Sequence, residues 1–185
     1  METGRYDRSI ALFGGSFDPV HIGHLAIASA AAAQFCLDAV VFVPARRSPF
    51  KESCAAEPFQ RLAMLKLAIA GDERFQVSAD ELTREEPSYT WETVAAFRRR
   101  EPGARMFLIA GEDAFAGIAQ WRNIEWIVQE ATFLVAPRTG ATPSPASVPV
   151  RAERIEIPCI DVSSTWVRQA CARGVTIRYL VPEQV

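Results

Sequence analysis

Short runs of apolar, often β-branched residues alternate with longer segments of helical periodicity along most of the chain. The predicted strands cover residues 10–13, 39–43, 74–78, 106–110 and 132–136, and the predicted helices that follow them cover 22–35, 58–70, 90–100 and 112–130. Alternation of strands and helices is typical of a parallel sheet, and uniformly apolar strands indicate that helices cover both faces. The sequence therefore predicts an α/β fold of the Rossmann-like, doubly wound type, with a mainly parallel sheet.

The last part of the chain adds one strand and one helix. We predict a strand at 154–157, and the cluster Ser163-Ser164-Thr165 is a good N-cap for a following helix. Two segments, 45–57 and 138–149, interrupt the alternation and are predicted to be surface loops. A length of 185 residues fits one domain. We therefore expect a single domain over 1–185, with its final helical segment at about 160–185.

The composition of the chain limits which binding partners and which cellular compartment are expected. The 20 basic and 22 acidic residues give a formal charge of −2, so the charge of the whole chain gives no reason to expect a nucleic acid or an acidic membrane as a partner. No apolar run approaches the roughly 18 residues of a membrane span, and the polar amino terminus does not resemble a signal peptide. The four cysteines lack zinc-ligand spacing and are expected to be reduced thiols. A cytoplasmic protein is predicted, and the sequence leaves open whether it forms a homo-oligomer.

Both histidines of the chain lie in one stretch, GGSFDPVHIGH, which directly follows the first predicted strand. Gly14 and Gly15 allow a sharp turn with exposed backbone N–H groups, and their lack of side chains lets a bulky anion come close. The helix that follows has unpaired N–H groups and a partial positive charge at its start. His21 and His24 are three residues apart, so they lie on one face of its first turn. The stretch predicts a phosphate site.

Two common phosphate-binding motifs do not match. The stretch is not GxGxxG, which weighs against a nicotinamide-dependent dehydrogenase, and the chain has no GxxxxGK[ST] that would indicate a P-loop NTPase. The stretch instead resembles the GxFDPxHxGH signature of the HxGH nucleotidyltransferase superfamily. VSSTWVR at 162–168 resembles the second signature of that superfamily, ISSTxIR, and the two segments occur in the expected order.

Three further segments resemble the bacterial nicotinate-nucleotide adenylyltransferases within that superfamily. PSYTWETV at 87–94 is similar to their PSYTxxTL, GED at 111–113 followed by Trp121 is similar to their GxDxxxxxxxW, and IRYLVP at 177–182 is similar to their closing segment. The resemblance covers almost the whole chain. It implies transfer of AMP from ATP to nicotinate mononucleotide, which gives deamido-NAD and pyrophosphate in NAD biosynthesis.

The resemblance also implies roles at the ATP site. His21 and His24 would donate hydrogen bonds to the triphosphate, with His24 at the α-phosphate in the transition state. The Ser164 and Thr165 hydroxyls would hold the β- and γ-phosphates, and Arg168 would meet the same anion. The catalytic residues are thus expected to be His21, His24 and Arg168. The full ATP-binding set is expected to be Gly14, Gly15, Ser16, Phe17, His21, His24, Asp113, Arg138, Ser164, Thr165 and Arg168, with Asp113 at the ribose and Arg138 on the adenine side.

The second substrate has its own expected contacts. Trp121 would stack on the pyridine ring, backbone amides around Tyr89 and Thr90 would receive the nicotinate carboxylate, and Lys51 would approach the mononucleotide phosphate. The family usually has PHK in the loop after the second strand, whereas this chain has Phe50 before Lys51, so only the lysine is carried over. Unpaired N–H donors would favour the acid over the amide, because a carboxamide would place its own NH₂ against one of them.

The implied chemistry needs positive and N–H groups rather than a protein nucleophile. The attacking phosphate is already an anion at neutral pH because its second pKa is near 6. The protein must therefore align two polyanions and neutralise the charge that develops on the transferred group and the leaving group. Mg²⁺ is expected to accompany ATP, held mainly by phosphate oxygens and water, since no carboxylate cluster in the sequence predicts a metal site of the protein's own.

Two other functions stay open at this point. The nearest is another adenylyl- or cytidylyltransferase of the superfamily, acting on nicotinamide mononucleotide, phosphopantetheine or an alcohol phosphate. The second is a regulator that binds nucleotides on the same fold without turnover. The intact histidine pair and SSTxxR segment weigh against the regulator.

Overall fold

The computed structural model describes residues 7–46, 54–84, 87–137 and 148–185. Within these ranges the strands are β1 (Arg8–Gly15), β2 (Ala39–Pro44), β3 (Phe75–Val77), β4 (Ala104–Gly111), β5 (Ala131–Ala136) and β6 (Ala152–Arg154). They form one sheet in the order β3-β2-β1-β4-β5-β6, in which every neighbouring pair is parallel. The predicted doubly wound parallel sheet is confirmed.

The helices lie on both faces of this sheet. They are α1 (Ile22–Gln34), α2 (Pro58–Ala68), α3 (Thr90–Arg100), α4 (Glu112–Ala116), α5 (Ile124–Glu130) and α6 (Ser164–Ala172), with a 3₁₀ turn at Ile118–Gln120. No helix in the described part of the chain combines the length and apolar character that a membrane crossing requires. All four cysteines are free thiols in the structure.

Alternating residues of the central strands build a separate core on each face. Ile10 and Leu12 of β1 belong to one apolar cluster, which includes Val94 of α3 and Ile127 of α5. The other cluster holds the intervening residues Ala11 and Phe13 of β1, together with residues of α1 and α2 such as Ala28 and Leu65. A strand that is buried on both faces must be apolar at every position, which explains the continuous apolar runs in the sequence.

The single helix predicted over 112–130 is wrong, because the segment forms α4, a 3₁₀ turn and α5. Gly117 ends α4, and the turn that follows ends at Trp121. Asn123 then has φ 56°, the left-handed conformation that asparagine tolerates better than most residues, and α5 begins after it. The break matters for the site because it releases Trp121 from a helix and lets its side chain reach a cavity.

The end of the chain also differs from its prediction. The last strand is β6 rather than 154–157. After it the Ile155 N–H donates to the Val135 carbonyl oxygen, and the backbone of Glu156 then pairs with the Gln34 side chain at the end of α1. β6 lies at the sheet edge and is exposed.

The helical segment predicted over about 160–185 is helical only in α6. Gly174 has φ 68°, and the N–H groups of Gly174 and Val175 donate to the carbonyl oxygens of Cys171 and Ala170. This is the Schellman pattern, in which a left-handed residue closes the last turn of a helix. The rest of the chain continues without a helix to Val185.

The order of the strands decides where a ligand can bind. The chain passes from β1 outwards through β2 to β3, and then crosses back to β4 on the other side of β1. At such a reversal the connections leave β1 and β4 in opposite directions, so a crevice opens beyond their carboxyl ends. The loops after these two strands carry the GGSFDPVHIGH and GED segments.

Candidate functional site

A cavity of about 380 Å³ lies at the carboxyl ends of β1 and β4, between the beginnings of α1 and α6. It brings together segments that are far apart in the sequence, the histidine stretch and the SSTWVR segment. The residues predicted at the ATP site that line it are Gly15, Ser16, Phe17, His21, His24, Asp113, Ser164, Thr165 and Arg168.

The two histidines form a stacked pair at the start of α1. Their ring centroids are 3.7 Å apart and the ring planes differ by 28°. The His21 backbone N–H donates to Nδ1 of His24 over 3.3 Å, so Nδ1 is an acceptor and the proton of a neutral His24 ring resides on Nε2. Gly23 makes room for this pair, because a Cβ at Gly23 would lie 3.1 Å from Nδ1 of His21. The HxGH spacing therefore has a steric reason as well as a chemical one.

The turn between β1 and α1 comes later than the sequence suggested. The expected sharp turn at Gly14-Gly15 is wrong, because both residues still pair with β2 as the last positions of β1. The chain turns at Phe17, which has φ 46° and whose side chain is fully buried. A Cβ at Gly15 would lie only 3.0 Å from the Phe17 ring, so Gly15 is needed to let that ring fold back. At Gly14 a Cβ would meet no atom within 4 Å, which leaves open space beside the strand.

Two contacts hold α6 against the start of α1. The Ser164 hydroxyl donates to the Pro19 carbonyl oxygen over 2.9 Å. Nη1 of Arg168 donates to the Asp18 carbonyl oxygen over 2.6 Å, and it lies 3.6 Å from the Asp18 carboxylate. In the structure the Ser164 hydroxyl thus donates its proton to a backbone oxygen and not to the cavity, where the expected phosphate would lie. The Ser164 and Thr165 N–H groups in the first turn are the donors that α6 offers, since the Ser163 side chain caps Trp166 instead.

A backbone N–H of α1 is also engaged. The Ile22 N–H donates to the Leu180 carbonyl oxygen over 2.9 Å, which attaches the IRYLVP segment to the beginning of the helix. The first turn of α1 therefore has fewer N–H groups for an anion than the sequence suggested. The side chains of His21 and His24 supply the polar atoms of α1 at the cavity instead.

Asp113 lies on the wall that the first cavity shares with a second one. It is an exposed residue in the first turn of α4, and the N-cap of that helix is Gly111 rather than Asp113. Its carboxylate folds back over Gly111, where a Cβ would lie 2.8 Å from Oδ1. The carboxylate therefore lies at the carboxyl end of β4, next to both cavities.

The second cavity, of about 560 Å³, contains the residues expected to receive the pyridine. It is more apolar than the first and is lined by Gly14, Tyr89, Thr90 and Trp121 among others. The Trp121 ring packs on Phe133 of the core, with 5.9 Å between the centroids, so it is both a core residue and a cavity residue. Thr90 begins α3, which places a helix start, with its free N–H groups, at this cavity. The two cavities share Gly15, Ser16, Gly111 and Asp113.

A buried acidic residue supports the α3 side of this cavity. Glu81 is 7% exposed, and its carboxylate accepts a hydrogen bond of 2.6 Å from the Thr93 hydroxyl. The Thr93 oxygen in turn accepts from Nη1 of Arg84 over 3.0 Å. Burial raises the pKa of the Glu81 carboxyl, while the Thr93 hydrogen bond and the charge of Arg84 oppose that rise. This network links the loop before α3 to the first turn of the helix.

Three functional candidates were missed by sequence reasoning. Arg61, Glu81 and Arg122 all lie outside the motif residues that were singled out, and each of them touches a cavity wall or the backbone behind it. Only Arg122 carries a sequence signal, since it directly follows Trp121 in the GxDxxxxxxxW segment. Two expected residues, Lys51 and Arg138, lie outside the described residues, as does the departure at Phe50.

Comparison with known proteins identifies the family of this chain. The cytidylyltransferase-like family model matches residues 12–170. A protein of Exiguobacterium sibiricum with the name "Probable nicotinate-nucleotide adenylyltransferase" is 40% identical over 178 residues, which cover 95% of this chain and 93% of that protein. A protein of the same name from Thermus thermophilus is 42% identical over 176 residues, which cover 95% of this chain and 93% of that protein.

This chain belongs to the nicotinate-nucleotide adenylyltransferase family. The predicted family is therefore confirmed. A solved structure shares the fold: the Plasmodium falciparum nicotinic acid mononucleotide adenylyltransferase in complex with NaAD superposes with a TM-score of 0.74 at 19% identity, over 92% of this chain and 87% of that one. The matched family segment contains both the histidine pair and the SSTWVR segment, so the first cavity lies within the region that the family has in common.

Proposed function

We propose that this protein transfers AMP from ATP to nicotinate mononucleotide, giving deamido-NAD and pyrophosphate. It is a nucleotidyltransferase of NAD biosynthesis. The family membership supports the reaction, and one observation on the structure carries the mechanism: the beginnings of α1 and α6 meet at one cavity, which opens beside a second, more apolar one. One cavity would take the triphosphate and the other the mononucleotide.

The shared wall between the cavities supports an in-line reaction. A phosphate oxygen of the mononucleotide must approach the α-phosphorus of ATP while pyrophosphate leaves on the opposite side. Ser16 and Gly15 line both cavities, so the reacting phosphates would meet at these residues. The attacking phosphate needs no base, because it is an anion at neutral pH. The protein's task is to hold two anions together long enough to react.

The polar atoms at the first cavity suit that task. Nε2–H of His24 would donate to the α-phosphate, with His21 stacked behind it to fix the ring. Arg168 and the first-turn N–H groups of α6 would receive the β- and γ-phosphates. Donors that are already in place cost no reorganisation when charge develops in the transition state. Asp113 would accept hydrogen bonds from the ribose of ATP.

Preference for the acid over the amide would come from the second cavity. Among the described residues that line it, Arg122 is the cationic one, and its guanidinium lies 5.0 Å from the centroid of the Tyr89 ring. The start of α3 at Thr90 adds N–H donors, and Trp121 offers a ring face for the pyridine. A carboxylate is attracted by a cation and by N–H donors, whereas a carboxamide places its own donors against them. Lys51 would approach the mononucleotide phosphate, and Arg138 the adenine.

Mg²⁺ would enter with ATP and reduce the negative charge of the triphosphate. Among the described residues no group of three or more His, Cys, Asp or Glu side chains is placed to hold a metal ion, and Asp18, which lines the first cavity, already accepts from the N–H groups of Ala55 and Ala56. We therefore propose that phosphate oxygens and water hold the ion. The free cysteines support a reducing compartment, and we propose the cytoplasm.

The function is tested by pyrophosphate release from ATP with each acceptor in turn. Nicotinate mononucleotide should give rapid release, and nicotinamide mononucleotide should give at least about tenfold lower kcat/KM if the acid makes one charge-assisted contact that the amide lacks. Phosphopantetheine and CTP serve as the controls for the other transferases of the superfamily. Faster release with any of those substrates would replace the proposed reaction, and no release with any acceptor would favour a non-catalytic nucleotide-binding protein.

A further inference from the structure

The most deeply buried cation of the described chain lies directly behind the two cavities. Arg61 on α2 is 0% exposed, the largest of the fully buried side chains. Its guanidinium donates to the backbone carbonyl oxygens of Ser16 at 2.7 Å, Arg46 at 3.2 Å and Ala56 at 3.3 Å. These oxygens belong to the turn after β1 and to the two ends of the segment between β2 and α2.

The charge of Arg61 is not balanced by a carboxylate among the described residues. Its three hydrogen bonds all end on neutral carbonyl groups, and no acidic side chain in the described ranges forms a salt bridge with it. The Asp18 carboxylate, two residues after Ser16, is itself paired with Arg168 and accepts from the N–H groups of Ala55 and Ala56. Burial of an unbalanced charge costs free energy, so the fold carries this cost unless an anion arrives.

The position of Arg61 suggests which anion balances it. Nη1 of Arg61 donates a hydrogen bond to the Ser16 carbonyl oxygen, and Ser16 lines both cavities. We propose that Arg61 is a positioning residue for the reacting phosphates: its buried charge, which lies behind the turn that carries Ser16, lowers the energy of two polyanions beside Ser16. This inference rests on the proposed function, since it takes the polyanions to be ATP and the mononucleotide phosphate.

The charged groups around Arg61 do not cancel its positive potential at Ser16. On the described segments packed around Arg61, the charged groups are Asp18, Arg46 and Glu57, and Arg168 lies across the first cavity. Asp18 and Arg168 offset each other, and Glu57 is exposed to solvent. Neither β2 nor β3, on which α2 packs, has an ionisable side chain. Arg61 is thus the buried source of positive potential at this point of the site.

Two substitutions separate the charge from the hydrogen bonds. Arg61→Met removes both, whereas Arg61→Lys keeps a positive charge but cannot reach three carbonyl groups at once. The first measurement is the affinity for inorganic tripolyphosphate, which needs no turnover. We expect Arg61→Met to weaken it by about tenfold or more, the order of magnitude for loss of one nearby charge in a partly buried site, and Arg61→Lys to stay within about threefold of the wild type.

A matched control is available at the opposite edge of the sheet. Arg98 also donates to backbone carbonyl oxygens, those of Ala104 and Glu130, but it is paired with the Glu130 carboxylate over 2.8 Å and lies at the amino end of β4, away from both cavities. Arg98→Met should destabilise the protein while leaving tripolyphosphate affinity and the KM values unchanged. Circular dichroism and thermal unfolding of each variant identify a loss of fold.

The results that overturn the proposal are distinct from those that overturn the function. Arg61→Met with wild-type tripolyphosphate affinity, or Arg61→Lys as impaired as Arg61→Met, would show that the charge does not act on the anion. If Arg61→Met does not fold, Arg61→Lys decides: a tenfold loss of affinity in this variant overturns the proposal. If the wild type binds tripolyphosphate but releases no pyrophosphate, the proposed AMP transfer is wrong. The tripolyphosphate affinities of the Arg61 variants then still test whether Arg61 acts on a bound anion.

Discussion

Replacement of Arg168 by Met is the sharpest test of how the two helix beginnings work together. The Arg168 side chain is 37% exposed, and its guanidinium joins α6 to the turn before α1 through the Asp18 carbonyl oxygen at 2.6 Å. It also lies 3.6 Å from the Asp18 carboxylate, whose side chain is only 6% exposed. The substitution removes this link and, in the proposed reaction, one cation from the triphosphate.

The two effects have different expected sizes. A hydrogen bond that involves a charged group contributes about 1.5–3 kcal/mol net, and the partial exposure of Arg168 places this one towards the lower end of that range. Asp18 keeps its two backbone N–H donors, so it is not left without partners. We expect the free energy of unfolding to fall by about 2 kcal/mol, which lowers Tm by roughly 4–8 °C for a chain of this length. Turnover should fall by about 100-fold or more, as for the loss of one electrostatic stabiliser of a transition state.

The assays are thermal unfolding and pyrophosphate release with saturating nicotinate mononucleotide, measured at a temperature at which the variant is fully folded. Arg173→Met is the control, because Arg173 is exposed at the other end of α6 and donates only to the Gln169 carbonyl oxygen among the described contacts of its side chain. This control should retain turnover within about twofold of the wild type, as surface substitutions usually do. Wild-type turnover in folded Arg168→Met would refute the argument that α6 brings a cation to the triphosphate.

The histidine pair and the buried acid each give a further prediction. His24→Ala should lower kcat by about 100-fold or more without unfolding the protein, because it removes an electrostatic donor from the α-phosphate; near-normal kcat would exclude that role. The raised pKa of Glu81 predicts a stability contribution that is fully present below its usual value of 4.5 and is lost as pH rises through the folded pKa. Glu81→Gln should therefore lose less stability than the wild type between about pH 4 and pH 7 in chemical unfolding at several pH values. The exposed Glu125→Gln is the control, and parallel curves for wild type and Glu81→Gln would contradict this prediction.

The alternation of strands and helices could be predicted because each element has a local signature. A doubly covered strand must be apolar at every position, and this requirement made the five main strands visible. The boundaries that failed are those set by long-range contacts. β6 ends where Gln34 of α1 takes over its backbone hydrogen bonds, and no residue near β6 carries that information.

The candidate site shows the same difference between local sequence motifs and long-range contacts. The HxGH and SSTxxR segments could be found from their spacing, and the structure places their residues around one cavity. Arg61 and Glu81 could not be found, because an arginine in a helix and a glutamate in a loop are usually solvated. Their burial depends on which backbone oxygens and hydroxyl groups the folded chain brings to them.

The sequence by itself determined the layered α/β architecture, the family and the motifs that are proposed to bind phosphate, because periodicity and short motifs act over a few neighbouring residues. The tertiary structure alone decided that Ser164 donates to the Pro19 carbonyl oxygen, that the turn lies at Phe17 rather than at the two glycines, and that a buried guanidinium stands behind Ser16. Such contacts join positions far apart in the chain. Their energies depend on distance and burial, which exist only once the sheet has formed.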